Sequence, residues 1–269
     1  MTPLRFDLHA AGALAPGVGS LSELLTLART GEIGENAGAA LPAPRSLPAN
    51  ERRRASQVVR LSLACAEQAL QASPFAVEQL RTVFASDEGT GEVCHQMLQA
   101  LVTTREISPL VFHNSVHNAP SGYLSIGYQN RQSALSVSLG RESFASGLLC
   151  AVTEAQSTGQ PVLFVAYDAP IPQPLQSLLP IEHATATAWI ITAGNAANDA
   201  PALGRFALSL RDSADGERPA APAWLPASWA DNSSAQGFVA LALLAGESGA
   251  CELPLGAQHL RVERMPAAC

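Results

Sequence analysis

Three short stretches of this sequence carry reactive residue types at a usable spacing. His113 and His117 stand four apart, so a helix through them would turn both imidazoles to one face, a spacing that can hold a metal. No third ligand and no acidic base stand near them, and a packing or interface role is the competing assignment. Ser143 lies in Glu142-Ser143-Phe144-Ala145-Ser146-Gly147, at the head of an apolar helical pattern. A serine nucleophile needs an adjacent base, and the Gly-x-Ser-x-Gly elbow is not matched. The alternative is that Ser143 caps the helix. Gly89-Thr90-Gly91 precedes another helical stretch and could hold a phosphate. It lacks the further glycine of a dinucleotide fingerprint, which favours a tight turn.

Composition removes several chemistries. All 16 basic residues are Arg, so no Schiff-base lysine, P-loop lysine or lysine base exists. The formal net charge is −7 and the longest basic run is Arg52-Arg53-Arg54, which argues against a nucleic-acid-binding face. The five cysteines (Cys65, Cys94, Cys150, Cys251 and Cys269) are widely spaced with no Cys-x-x-Cys, and they read as small buried hydrophobes rather than ligands or disulfides. No stretch resembles a signal peptide and no apolar run approaches the ~20 residues of a membrane span. The expectation is a soluble cytoplasmic protein without metal or cofactor.

These residues must be positioned by elements that the pattern marks out. Strands are expected at 4–14, 82–85, 134–139, 161–166, 184–192, 205–210 and 260–264. A helix at 21–28 follows Ser20 as its cap, with Glu23 in capping-box spacing. One long helix should run from about residue 50 to Ser73-Pro74, carrying Val59, Leu63, Ala66 and Leu70 on one face. Further helices are expected at 92–102, 144–155 and 238–244, and a surface loop at 212–232. Trp189 reads as core, and Trp224 and Trp229 as loop anchors. Strands alternating with helices imply an α/β fold, a mostly parallel sheet with helices on both faces.

The stretch from Ile107-Ser108-Pro109 through Asn118-Ala119-Pro120-Ser121-Gly122 resembles β-ketoacyl synthases, in which an Ile-Ser-Pro-like start leads into a helix carrying Asn-x-x-x-Gly. The strand at 133–139 and the helix Ala145-Ser146-Gly147-Leu148-Leu149-Cys150 look like that family's nucleophile strand and helix. The likeness covers roughly residues 1–195, and within the family it is nearest to the short chain-length factors of aryl-polyene and type II polyketide systems. It implies a thiolase-type, layered α-β-α half ketosynthase at 1–195. Residues 196–269 would add strands and a helix, of unknown role, to the same domain.

Ketosynthases start that helix with a nucleophilic Cys. Here the position falls among Ser143, Phe144 and Ala145, with Gly140-Arg141-Glu142 lengthening the turn, and Cys150 lies too far inside the helix to be presented. The family's second half supplies a Lys and two His; this chain has no Lys. The resemblance therefore implies a non-catalytic subunit that pairs with a complete ketosynthase and helps shape a tunnel for acyl groups borne on a phosphopantetheine carrier protein. It would form a homodimer when alone. Tunnel or interface residues would be Val111, Phe112, His113, Val116, His117, Asn118, Gly122 and Val137, with one helix from Val111 through Asn118. Val111 stands where ketosynthases often carry a bulky side chain that closes the partner's pocket. The Arg52-Arg53-Arg54 run could meet an acidic carrier. A small acyltransferase or hydrolase using Ser143 or Cys150, and a pure stabilising scaffold, are the alternatives.

Overall fold

The longest apolar runs in the sequence become the inner strands of one sheet. The computed structural model describes residues 2–34, 42–194, 200–212 and 219–266. In chain order the elements are β1 (Leu4–Leu14), α1 (Leu21–Thr30), α2 (Ala49–Arg54), α3 (Gln57–Gln71), β2 (Arg81–Ala85), α4 (Gly91–Thr103), α5 (Pro109–His113), α6 (Ala119–Tyr128), β3 (Ala134–Val137) and α7 (Ser143–Thr158). Then come β4 (Val162–Asp168), β5 (Thr185–Ala193), β6 (Gly204–Asp212), α8 (Gln236–Leu241), β7 (Gly249–Leu255) and β8 (Gln258–Met265).

Among the described residues, eight strands form the sheet, in the order β3-β2-β4-β5-β1-β6-β8-β7. All seven residues of β4 and all nine of β5 are buried, because both faces are covered. Along β4, Phe164 and Ala166 point into a core under α7 and α8, while Leu163, Val165 and Tyr167 point into a second core under α3 and α6. Trp189 divides the same way, closing on Phe6, Phe144 and Phe164 in the α7 core. α3 lies so close to β1 that a Cβ on Gly12 would sit 2.5 Å from the Cys65 carbonyl oxygen. Glycine is therefore required there.

The layered α/β fold stands, but the sheet is mixed rather than mostly parallel. Only β2–β3 and β2–β4 are parallel. β4–β5, β5–β1, β1–β6, β6–β8 and β8–β7 are antiparallel. Parallel neighbours need a crossover, usually a helix, and residues 169–184 between β4 and β5 hold only a short 3-10 turn. β7 carries no strong alternation and is an addition to the expected strands.

The expected long helix after residue 50 is two. Ala55 is extended, and Ser56 restarts the chain as α3 by accepting the Val59 N–H. The Ser56 hydroxyl supplies an acceptor for one of the first-turn donors that the break leaves without an intrahelical partner. The expected helix through Val111 and Asn118 is also broken. Pro120 lacks an N–H and would clash with the carbonyl four residues back, so α5 ends at His113, with Asn114 as its cap, and α6 starts afresh. β3 stops at Val137, short of Leu139.

Trp229 is buried and stacks edge-on against Phe238, so it anchors its loop as expected; residues 213–218 of that loop lie outside the described residues. Of the cysteines only Cys65 is fully buried; Cys94, Cys150 and Cys251 are half-buried, and Cys269 lies outside the described residues. Among the described residues, no helix is long and apolar enough to cross a membrane.

Candidate functional site

The carboxyl ends of the parallel strands β2, β3 and β4 converge on the start of α7. β3 leads into a turn in which Gly140 takes a φ of +61°. Ser143 is fully buried there and clamps the turn: its hydroxyl donates to the Gly140 carbonyl at 2.6 Å and accepts the Leu139 N–H at 2.8 Å. It meets backbone, not a base, and it is not the helix cap, a place held by Glu142 without a side-chain bond. Phe144 is fully buried, 5.4 Å from the Phe164 ring and 5.7 Å from Trp189. Its N–H donates to Ser233 Oγ at 2.8 Å. Ala145 is buried behind it. Cys150 is half-buried on α7, and burial and then the Glu154 carboxylate push its thiol pKa up, which leaves little thiolate.

Sequence reasoning missed the acids at these strand ends. Asp168 closes β4 and is fully buried. Its carboxylate accepts the Asp87 N–H at 2.8 Å, the Ser234 N–H at 2.6 Å and the Ser86 hydroxyl at 3.3 Å. Burial outweighs those donors and pushes its pKa up to about 6. Glu88, capping the Gly91 N–H, is pushed up to about 7, again first by burial. Asp7 and Asp87 are raised for the same reason. The available signal was an acid ending a wholly apolar strand, a place where a charge must find donors.

These shifts carry a sign. A carboxyl whose folded pKa exceeds its unfolded value favours the native state while protonated, and that advantage is lost as pH rises to the folded pKa. For Asp168 the window runs from 3.8 to about 6, and about two pKa units correspond to roughly 3 kcal/mol. For Glu88 it runs from 4.5 to about 7. The melting temperature is therefore expected to be higher at pH 5 than at pH 8 in calorimetry. A flat or rising trend would contradict the burial assigned to these carboxyls.

The loop after β2 also holds the segment between α5 and α6. Thr90 Oγ1 donates to the Ser115 carbonyl at 3.1 Å. His117 lies on Gly89, where a Cβ would come within 2.5 Å of its Nδ1 and where φ is +69°. His113 ends α5 and packs edge-on against Tyr123, with 6.2 Å between ring centroids. The two histidines therefore do not share a helix face. Among the described residues, no group of three or more His, Cys, Asp or Glu is placed to hold a metal. Gly89-Thr90-Gly91 forms the tight turn.

Of the remaining sequence-derived positions, Val111 is half-buried, while Phe112, Val116, Asn118 and Gly122 are exposed. Asn118, Gly122 and Ile126 make one outward stripe along α6. Leu98, Leu101 and Val102 of α4 are also exposed, and α4 buries only Val93. β3 is the edge of the sheet, and Leu135 on it is 45% exposed. Val137 differs: its side chain packs partly into the α7 core, and its carbonyl accepts the Ser86 N–H just past β2. Arg52, Arg53 and Arg54 end the short helix α2, with Arg53 and Arg54 exposed.

Three solved structures share this fold over nearly the whole chain. The ketosynthase ApeO in complex with its chain length factor ApeC, from Xenorhabdus doucetiae, matches at 25% identity and a TM-score of 0.75, covering 97% of this chain and 100% of that one. A type II PKS acyl-carrier protein in complex with its ketosynthase bound to the hexaketide matches at 12% identity and a TM-score of 0.75, covering 98% and 100%. The ishigamide ketosynthase/chain length factor matches at 15% identity and 0.71, covering 97% and 99%. No curated protein matches the sequence. The family model for the beta-ketoacyl synthase N-terminal domain matches residues 28–236, which spans both the Asn118–Gly122 stripe and the start of α7, and the chain belongs to that family.

Proposed function

We propose that this chain is a catalytically silent, chain-length-factor-type subunit that pairs with a complete β-ketoacyl synthase. In that complex it helps shape the tunnel receiving the growing acyl group in aryl-polyene or related type II biosynthesis. The observation that carries this reading is Phe144. It stands at the start of α7 where a nucleophile would be presented, yet its side chain is fully buried among Phe164 and Trp189. Ser143 is committed to backbone. The exposed apolar residues of α4, α5, α6 and β3 supply the face for a partner, since contiguous apolar surface on one side of a domain marks an interaction site. Acyl groups would arrive on a phosphopantetheine-bearing carrier protein, and a homodimer would cover the same face when the partner is absent. Val111, at the root of that face, would contribute to tunnel length.

The chain incubated alone with an acyl-carrier thioester is expected to gain no acyl mass in intact-protein mass spectrometry. A stable adduct that disappears on mutating a single side chain would sink the silent-subunit reading.

A further inference from the structure

Open α/β sheets place ligands in the crevice beyond the carboxyl ends of their strands. In this protein one segment of the chain itself fills that crevice. Asn232, Ser233, Ser234 and Ala235 are each 1% exposed. Asn232 Nδ2 donates to the His183 carbonyl at 2.7 Å and to Thr185 Oγ1 at 2.9 Å. Ser233 Oγ accepts the Phe144 N–H at 2.8 Å. Ser234 gives its N–H to Asp168 at 2.6 Å and pairs its hydroxyl with Thr185 Oγ1 at 2.6 Å. Gln236 Nε2 donates to the Arg141 carbonyl at 2.7 Å.

We propose that residues 232–236 are an internal plug, with Ser233 closing the start of α7 against chemistry. This rests on the silent-subunit reading and deepens it. A helix start offers backbone N–H groups that stabilise a thiolate or a developing oxyanion. The donor at position 144 is already taken by the Ser233 hydroxyl. The site is thus closed twice: by the side chain at 144, and by the hydroxyl on that residue's amide. Restoring a thiol at 144 does not by itself restore a reactive one. Freeing the amide is also required.

The test compares full-length Phe144→Cys with Phe144→Cys/Ser233→Ala, each checked for native circular dichroism. Alkylation by iodoacetamide is followed against pH, with the modified peptide mapped to residue 144. The single variant should titrate above an ordinary cysteine. In the double variant the apparent thiol pKa should fall by about one unit, giving about tenfold more thiolate at pH 7. A purely structural Ser233 would, on removal, raise the rate at every pH and leave the pKa in place, and that outcome overturns the proposal. Should Phe144→Cys fail to fold, Ser233→Ala alone serves through amide hydrogen exchange. Residue 144 should lose protection while residues 148–155 of α7 keep theirs; retained protection at 144 overturns the plug. An acyl adduct on the unaltered chain would overturn the silent-subunit reading and leave this comparison standing.

Discussion

A Gly122→Trp chain is expected to fold as the parent does and to lose its pairing with a complete ketosynthase. Gly122 lies on the outward stripe of α6, and a Cβ added there meets nothing within 4 Å. Within the chain the substitution is neutral or slightly favourable, because glycine in a helix interior costs roughly 0.5–1 kcal/mol relative to better helix formers. Against a partner it is severe. Interface cores are packed as densely as protein interiors, and an indole there holds the two faces apart. A loss of 3 kcal/mol or more, over a hundredfold in Kd, is expected. Size-exclusion chromatography of the co-expressed pair, with the melting temperature of the isolated variant as control, reads both halves. Normal co-elution would remove α6 from the interface. Ser136→Pro is the companion at the strand edge. The Ser133 carbonyl accepts from Thr82 of β2 and the Val137 carbonyl from Ser86 just past it, so the backbone groups of Ser136 point away from β2. Proline there removes a donor the partner would use, whereas proline at Val137 would damage this chain's own ladder.

Asp168→Ala should cost the chain more stability at pH 5 than at pH 8. Removing the carboxylate leaves the Asp87 and Ser234 amides and the Ser86 hydroxyl without their acceptor in a fully buried site. Each orphaned donor costs about 1–3 kcal/mol. At pH 8 part of that is offset, because the native protein no longer holds a buried charge. With the folded pKa near 6 against 3.8, the offset is roughly 3 kcal/mol. At pH 5, partway through the window from 3.8 to about 6, only roughly half of that offset is present. Urea titrations of parent and variant at the two pH values give the comparison. Equal losses at both would mean that Asp168 is not the group whose ionisation sets the pH slope. The loss also loosens the two loops that Asp168 ties together, after β2 and before α8.

The sequence carried the inner strands plainly, and the physical reason is burial on both faces. Val162 to Asp168 has one polar residue, at its end, and Thr185 to Ala193 is an unbroken buried run. Strand direction was not legible, since it depends on whether residues 169–184 form a crossover helix. Helix breaks at Ser56 and Pro120 were visible as residue types but were outweighed by apolar periodicity on either side. At the site, the lack of a thiol at Ser143, Phe144 and Ala145 was plain from residue identity alone. The contact between Phe144 and Ser233 was not, because it joins positions 89 residues apart. Asp168 escaped notice for the same reason: its donors come from residues 86, 87 and 234, which only the folded sheet brings together.

The central place of β1 has a consequence for how the chain is made. Phe6 pairs with Ala193 on one side, and Leu4 with Leu208 on the other. This first strand of the sheet thus waits for both of its neighbours until some 190 to 210 residues have followed. At about 5–20 residues per second that delay is roughly 10–40 s. Throughout it Phe6, Leu8 and the facing residues have no sheet to enter, and pairing across such separations is slow even once the chain is complete. Yield of folded material should therefore respond to growth temperature and to holding chaperones during translation, more steeply than the final stability would suggest.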